Sequence, residues 1–272
     1  MKRHPSSLST HPKLRGFTLV EMAVVVAIIA LMISGMMVPV GVMLDQRRFN
    51  ETTDLLVAAN DALVGFAGLN GHLPCPDRIG NDGVEDLDLA AGGNRCAPAP
   101  QDAEHAWGDL PYSTLGVNGF DAWGNRLRYS VEPRVTDTDR FASAVSASLI
   151  VTCSSVTRAA GVAGHIPGCH DPATGNPTEL TSSAIFLVMS FGKNSFGAVS
   201  GGGNVFPAPT TADELNNIVA GGTAVTRRTF VSRMRTDIGT PAGEFDDLMI
   251  FMSSGQFTGL MQKAGQWPPT TP

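Results

Sequence analysis

The apolar residues of this chain are concentrated in one long run near the N-terminus. Residues 17–44 contain 28 positions and a single charged side chain, Glu21. A run of 18 or more apolar residues predicts a helix that spans a membrane. At about 1.5 Å per residue the run would form a helix about 42 Å long, which is more than a bilayer core requires. The pattern therefore predicts a transmembrane helix over 17–44 that continues beyond the membrane.

The helical pattern becomes amphipathic after Leu44. Apolar residues recur at spacings of 7, 3, 4 and 3, at Phe49, Leu56, Ala59, Leu63 and Phe66. These spacings place one apolar stripe along a helix whose other positions are polar. Glycines at 65, 68 and 71 are stop signals. We therefore expect a continuation of the helix over 45–70, which ends near Gly68 and packs its stripe on a globular head.

The remaining residues, 71–272, have the pattern of a head that contains a sheet. The segment 71–119 is rich in Gly, Pro, Asp and Asn, which predicts a loop insertion with few strands. Alternating or continuous apolar runs predict strands near 126–131, 144–152, 184–190, 226–234 and 247–252. No second helix of the length that a parallel crossover needs is apparent between these runs. The predicted fold class is α+β, with the long helix packed on an antiparallel sheet.

A basic leader, 1–16, precedes the apolar run. It contains no acidic residue and four basic ones, Lys2, Arg3, Lys13 and Arg15. Basic residues beside a membrane helix stay in the cytoplasm, so the rest of the chain is expected to be translocated. Removal of the leader would change the formal net charge from −6 to −10, because four positive charges leave with it. This balance argues against general nucleic-acid binding.

The leader ends in a motif that joins it to the apolar run. The motif consists of Gly16, Phe17, Thr18, Leu19, Val20 and Glu21. It closely resembles the class III signal of type IV pilins and type II secretion pseudopilins. The resemblance implies that a prepilin peptidase cuts between Gly16 and Phe17, that Phe17 becomes N-methylated, and that Glu21 serves in filament assembly. A plain membrane anchor is the alternative.

Physical chemistry gives Glu21 a role without the resemblance. A carboxylate in hydrocarbon costs about 2.5–3.5 kcal/mol on insertion scales, and such residues usually have a partner. The amine that processing would free at Phe17, on the same subunit or a neighbouring one, is a suitable cation. In the alternative, Glu21 lies at the membrane interface and reaches water.

Four cysteines follow the apolar run, at Cys75, Cys96, Cys153 and Cys169. An even number in a periplasmic segment predicts disulfides. Three connectivities exist, and we prefer Cys75–Cys96 with Cys153–Cys169 because each closes a local loop. Histidines near these cysteines offer metal ligation as the alternative, at His72, His105, His165 and His170. No C-x2-C pair exists, however, and these spacings are not typical of zinc sites.

Scattered residues of the head also resemble the heads of the major pseudopilins. Asp121, Trp123, Gly124, Asn125 and Tyr129 match a turn-and-strand element, Ser190, Gly192 and Asn194 match a strand end, and Asp246 and Asp247 match an acidic segment. The resemblance implies a structural calcium in this loop region. Lys193 and the scarcity of acids in the loop count against it, and Asp246 and Asp247 could instead cap or turn the chain. No cofactor is therefore assigned, and calcium stays open.

The leading functional hypothesis is a minor pilin or pseudopilin, a structural subunit of a type IV pilus or type II secretion filament. Its expected partners are the prepilin peptidase, other pilin subunits, the inner-membrane assembly platform and the membrane. It would sit in the bacterial inner membrane with a periplasmic head before assembly.

Two other classes of function remain as alternatives. The first is a filament-tip module that binds a surface, cargo or DNA; a basic patch is conceivable at Arg227, Arg228, Arg233 and Arg235, although a solvated strand face explains it as well. The second is an anchored enzyme. No nucleophile elbow, HExxH motif or P-loop is present, so we expect no catalytic site. The acidic loop residues Asp82, Glu85, Asp86 and Asp88 are expected to be solvated.

Overall fold

The computed structural model describes residues 16–88, 92, 96, 106–137, 149–218 and 229–265, and it gives only the helical backbone for 34–40. The chain divides into two compact units, Met1–Gln46 and Arg47–Pro272. The predicted helical segments form one continuous helix, α1, Leu19–Asn70. Gly71 ends it in the left-handed conformation, with φ at 75°, and its N–H donates to the carbonyl of Ala67 at 2.9 Å.

The described side chains of the first unit are largely exposed. Within the described ranges, no helix is long and apolar enough to cross a membrane. The transmembrane span expected over 17–44 stays a prediction, since it includes 34–40, where only the helical backbone is described.

The described part of the second unit contains a six-stranded sheet. Its strands are β1 Ala106–Asp109, β2 Arg128–Val131, β3 Leu149–Thr152, β4 Glu179–Ser190, β5 Thr229–Val231 and β6 Leu248–Ser253. The order is β1-β2-β4-β3-β5, and β6 also pairs with β4. The α+β class and all five predicted strand regions are confirmed. The predicted residues 144–148 and 226–228 lie outside the described residues.

The expectation of a purely antiparallel sheet is wrong, because the sheet is mixed. β3 and β5 run parallel, with Ile150 opposite Thr229. The other pairs are antiparallel. A parallel pair requires a crossover only when its strands follow each other along the chain. Here β4 carries the chain back between β3 and β5, so no long crossover helix is needed.

Strand β4 is central and buried on both faces, as its continuous apolar run predicts. Phe186 and Val188 belong to the core that contains Leu56 and Leu63 of α1. Leu187, Met189 and Phe191 belong to a second core with Leu149, Val151, Ala198 and Phe230. The alternation of side chains along a strand accounts for this division. The sheet therefore separates two apolar layers.

Two members of the predicted stripe depart from the expected packing on the sheet. Phe49 is buried but packs edge-on against Trp123, with ring centroids 4.8 Å apart. Phe66 is only partly buried and contacts His72. Ala67, which is fully buried, occupies the core at that end of the helix instead.

The sequence pattern does not predict β1 or the three short helices. These helices are α2 Tyr112–Leu115, α3 Ala212–Asn217 and α4 Ser254–Lys263. β1 has the sequence AWGD, which is too short to show alternation, and it lies in the predicted loop insertion. α4 begins with a capping box formed by Ser253 and Gln256, a signal present in the sequence.

Candidate functional site

The three head motifs that the sequence singles out meet at the end of β4. The Ser190 hydroxyl donates to Asp121 Oδ2 at 2.7 Å. Four residues further on, the Asn194 N–H donates to Asp246 Oδ2 at 2.8 Å. The turn, the strand end and the acidic segment therefore form one connected network.

Asp121 organises the first motif into a tight turn. Its Oδ1 accepts hydrogen bonds from the N–H groups of Trp123, at 2.9 Å, and Asn125, at 2.8 Å. Gly124 takes a left-handed conformation there, with φ at 83°. Burial raises the pKa of Asp121, and the hydrogen bonds from Ser190, Asn125 and Trp123 lower it. The turn is thus built around one buried carboxyl group.

The same turn is attached to α1. The Ala122 N–H donates to the Thr52 hydroxyl at 3.2 Å, and Trp123 packs on Phe49. Tyr129, the last residue of this motif, is fully buried and donates to the carbonyl of Pro74 at 3.3 Å. The first motif therefore serves to join the helix, the turn and the sheet.

A cluster of three buried carboxylates lies beside the second and third motifs. It consists of Glu214 on α3 and of Asp246 and Asp247, which precede β6. One oxygen from each side chain lies within 4.8 Å of the others. We call this group the acidic cluster.

Polar groups hold the members of the acidic cluster in place. Glu214 Oε1 accepts from the Asn194 amide at 3.0 Å and from the Asp246 N–H at 3.1 Å. Asp247 Oδ2 accepts from the Asn217 amide at 2.8 Å. The side chains are therefore positioned by neutral donors rather than by packing alone.

The electrostatics of the acidic cluster disfavour full ionisation. Burial raises the pKa of Asp246 to about 7, and the negative charges of Glu214 and Glu244 act in the same direction, while the N–H groups of Asn194 and Lys193 oppose them. Burial also raises the pKa of Asp247 well above its ordinary value and raises that of Glu214. At neutral pH the cluster therefore requires either protons or a cation.

The residues of the acidic cluster fit a hard divalent cation. Asp246 Oδ1 is buried and has no hydrogen-bond partner among the described residues. Carboxylate oxygens are the ligands that calcium prefers. Gly192, with φ at 62°, approaches so closely that a Cβ there would lie 2.2 Å from the Asp246 carbonyl oxygen. The positive charge of Lys193 was the argument from the sequence against a bound cation, and this residue is exposed to solvent.

The sequence motifs identify Asp246 and Asp247 but miss Glu214 and Asn217. A signal for α3 was present, because Thr211-x-x-Glu214 has the spacing of a capping box. That spacing predicts the start of a helix. It does not reveal that Glu214 lies next to residues 32 positions further along the chain.

The N-terminal motif forms a capped helix start. Thr18 precedes α1 and its hydroxyl accepts from the Glu21 N–H at 3.2 Å. Glu21 Oε2 in turn accepts from the Thr18 N–H and hydroxyl, both at 2.8 Å. This is the reciprocal arrangement of a capping box. Gly16 and Phe17 precede the helix and are exposed.

The structure contains two disulfides with the sequential pairing. Cys75 is bonded to Cys96 and Cys153 to Cys169. They close loops with sequence separations of 21 and 16 residues. Cys75 and Cys96 also belong to the core beneath α1.

The described histidines near the cysteines make hydrogen bonds to the backbone. His170 is buried, its Nδ1 accepts from the Ile166 N–H at 3.1 Å, and its Nε2 lies 2.9 Å from the carbonyl of Val156. His165 Nδ1 and His72 Nδ1 each lie within hydrogen-bond distance of a backbone carbonyl. His105 lies outside the described residues.

The candidate basic patch and the acidic loop both have local structural uses. The side chain of Arg233 is almost fully buried and pairs with Asp213 at 2.8 Å, and the guanidinium of Arg235 lies 3.8 Å from the ring centroid of Phe49. The ion pair of Arg233 is a structural role, whereas Arg235 is exposed to solvent, and Arg227 and Arg228 lie outside the described residues. Asp86 accepts from the N–H groups of Arg78 and Ile79, so it braces the loop.

A comparison with known protein families found a match at the N-terminus. The family model for the prokaryotic N-terminal methylation motif matches residues 12–37. Searches of the curated proteins and of the solved structures found no match. The matched segment includes Gly16, Phe17 and the Thr18–Glu21 capping box. Residues 12–37 therefore carry the class III prepilin-type signal of type IV pilins and pseudopilins.

Proposed function

We propose that this chain is a minor pilin or pseudopilin, a structural subunit of a type IV pilus or type II secretion filament. The observation that carries the proposal is the methylation motif at residues 12–37. The signal implies processing by a prepilin peptidase and assembly with other pilin subunits. The cut falls between Gly16 and Phe17, Phe17 is methylated, and the subunit is anchored at the bacterial inner membrane with a periplasmic head until the assembly platform incorporates it.

The local structure at Gly16 supports a role in processing rather than in folding. A Cβ at Gly16 would meet nothing within 4 Å among the described residues. The described surroundings of Gly16 therefore give no steric reason for glycine at this position, whereas a peptidase that must accommodate the backbone at the cut does.

Substitution of Gly16 tests the processing step. We expect Gly16→Val to leave an uncut precursor, which intact-mass measurement would find 16 residues longer than the wild-type mature chain. Gly41→Ala is the matched control, because a Cβ at Gly41 also meets nothing within 4 Å in the described structure. Mature Gly16→Val protein that begins at a methylated Phe17 would refute the proposal.

Substitution of Glu21 tests the assembly step separately. We expect Glu21→Ala to be cut normally but to enter sheared filaments poorly. The variant lacks the carboxylate that would pair with the amine of Phe17. Thr18→Val is the control, since it removes the hydroxyl of the capping box and keeps the charge of Glu21. Equal losses in the two variants would assign the effect to the helix cap instead.

We also propose that the acidic cluster holds a calcium ion through Asp246 and Asp247, as the resemblance to major pseudopilins implies. The unpartnered Asp246 Oδ1 supports this assignment within the described structure. The ion would supply the positive charge that the buried carboxylates need. Calcium should raise the melting temperature of the full-length chain in detergent, relative to the same sample in chelator.

A further inference from the structure

Glu214 reaches the acidic cluster from a different part of the chain than the two aspartates. It lies on α3, and its carboxylate accepts a hydrogen bond from the N–H of Asp246, 32 residues later. Only 2% of Glu214 is exposed. A buried carboxylate beside two others is costly unless a cation or protons compensate it.

The helix start does not explain why position 214 is acidic. In a capping box, the Glu side chain would accept from the backbone N–H of Thr211 and the Thr211 hydroxyl would accept from the helix. In the described structure, Thr211 makes no side-chain cap hydrogen bond, and its hydroxyl donates to Glu214 Oε2 at 3.1 Å. Glu214 Oε1 is directed to Asn194 and Asp246.

Attachment of α3 to the rest of the fold does not explain the acidic residue at position 214 either, because other residues of α3 make the attaching contacts. Asp213 pairs with Arg233 at 2.8 Å and accepts from the N–H of Ser155 at 2.7 Å. The Asn217 side chain accepts from the Val231 N–H at 2.7 Å and donates to its carbonyl at 2.9 Å. These contacts fix both ends of α3 without the charge of Glu214.

We propose that Glu214 is the third carboxylate ligand of the calcium site, so that the ion joins α3 to the segment that leads into β6. This inference rests on the calcium site proposed above. Glu214 would supply the acidic ligand that the loop after β4 lacks. Calcium takes six to eight oxygens, so waters or backbone carbonyls complete its coordination.

Glu214→Gln isolates the charge from the hydrogen bonds. The Gln carbonyl can accept from the Asn194 amide and the Asp246 N–H as Oε1 does now, and its NH2 can donate to the Thr211 hydroxyl. The matched control is Glu244→Gln. Glu244 raises the pKa of both Glu214 and Asp246 through its charge but is not a member of the cluster.

The experiment measures calcium affinity by titration calorimetry on the full-length chain in detergent, and melting temperature in chelator. Glu214→Gln should weaken calcium binding by about 10-fold or more, which is at least the effect of losing an outer-sphere partner. Its melting temperature in chelator should equal or exceed that of the wild type, because one buried negative charge is gone. Glu244→Gln should bind nearly as well as the wild type.

The outcomes separate the inference from the proposal on which it rests. Wild-type protein that binds no calcium would overturn both the calcium site and the role of Glu214, while processing and assembly remain testable on their own. Calcium binding that is unchanged in Glu214→Gln, or weakened equally in Glu244→Gln, would overturn the ligand role alone. A large loss of stability in chelator for Glu214→Gln would show that the residue acts in folding instead.

Discussion

Leu56 provides the sharpest test of the packing of α1 on the sheet. It is 3% exposed and lies in the core with Phe186 and Val188 of β4. Replacement by Asp removes about 1.5–3 kcal/mol of apolar burial. It also places a carboxylate without a built partner in that core, which costs several kcal/mol more. Since domains are stable by about 5–15 kcal/mol, we expect Leu56→Asp to unfold the second unit or bring it close to unfolding.

The neighbouring residue gives a matched control. Val57 is 44% exposed on the same turn of α1, so Val57→Asp changes the same kind of residue without entering the core. We expect it to alter the free energy of unfolding by about 0.5 kcal/mol or less, and Leu56→Ala to cost about 2–5 kcal/mol. Thermal melting by circular dichroism and limited proteolysis of the full-length chain in detergent would measure the series. Equal effects of Leu56→Asp and Val57→Asp would refute the assigned face of the helix.

Two further predictions concern the disulfides and the Asp121 turn. Replacing both cysteines of either pair by Ala should lower the free energy of unfolding by about 3 kcal/mol in the loop-entropy estimate. Loss of the Cys75–Cys96 pair should lower the free energy of unfolding more, because its cysteines also fill the core. Denaturant titration measures this free energy for both double variants. Equal decreases would contradict the packing role of Cys75 and Cys96. For Asp121, burial raises the folded-state pKa above 3.8, so the native state holds its proton where the unfolded state has lost it. Stability should therefore fall as pH rises from about 4 through that raised pKa, and Asp121→Asn should lose this part of the pH dependence in melts across that range.

Periodicity along the chain was sufficient to predict the elements of the fold that have long or strongly apolar patterns. The stripe through Leu56 and Leu63 and the run that became β4 were both found where the pattern placed them. Spacing of apolar residues reports which face of an element is buried. Spacing does not report which element packs on that face. The packing of Phe49 on a turn and the parallel pairing of β5 with β3 were therefore not predicted.

The elements missed by the pattern are short. β1 and α3 contain four and six residues, which is too few for a period to be seen. Pairing with β2 stabilises β1, and the contacts of Asp213 and Asn217 stabilise α3. β1 and α3 therefore depend on tertiary contacts, whereas α4 also has a local signal in its capping box.

The sequence by itself determined the N-terminal signal, because both the methylation motif and the start of the helix consist of consecutive residues. Gly16, Phe17 and the Thr18–Glu21 capping box need no distant partner to be recognised. Cysteine order also favoured the two local disulfides that the structure contains. Only the tertiary structure brought Glu214 to Asp246 and Asp247, because β4, α3 and the segment before β6 converge there through sheet pairing. That convergence depends on the whole core, so no local spacing could have revealed the acidic cluster.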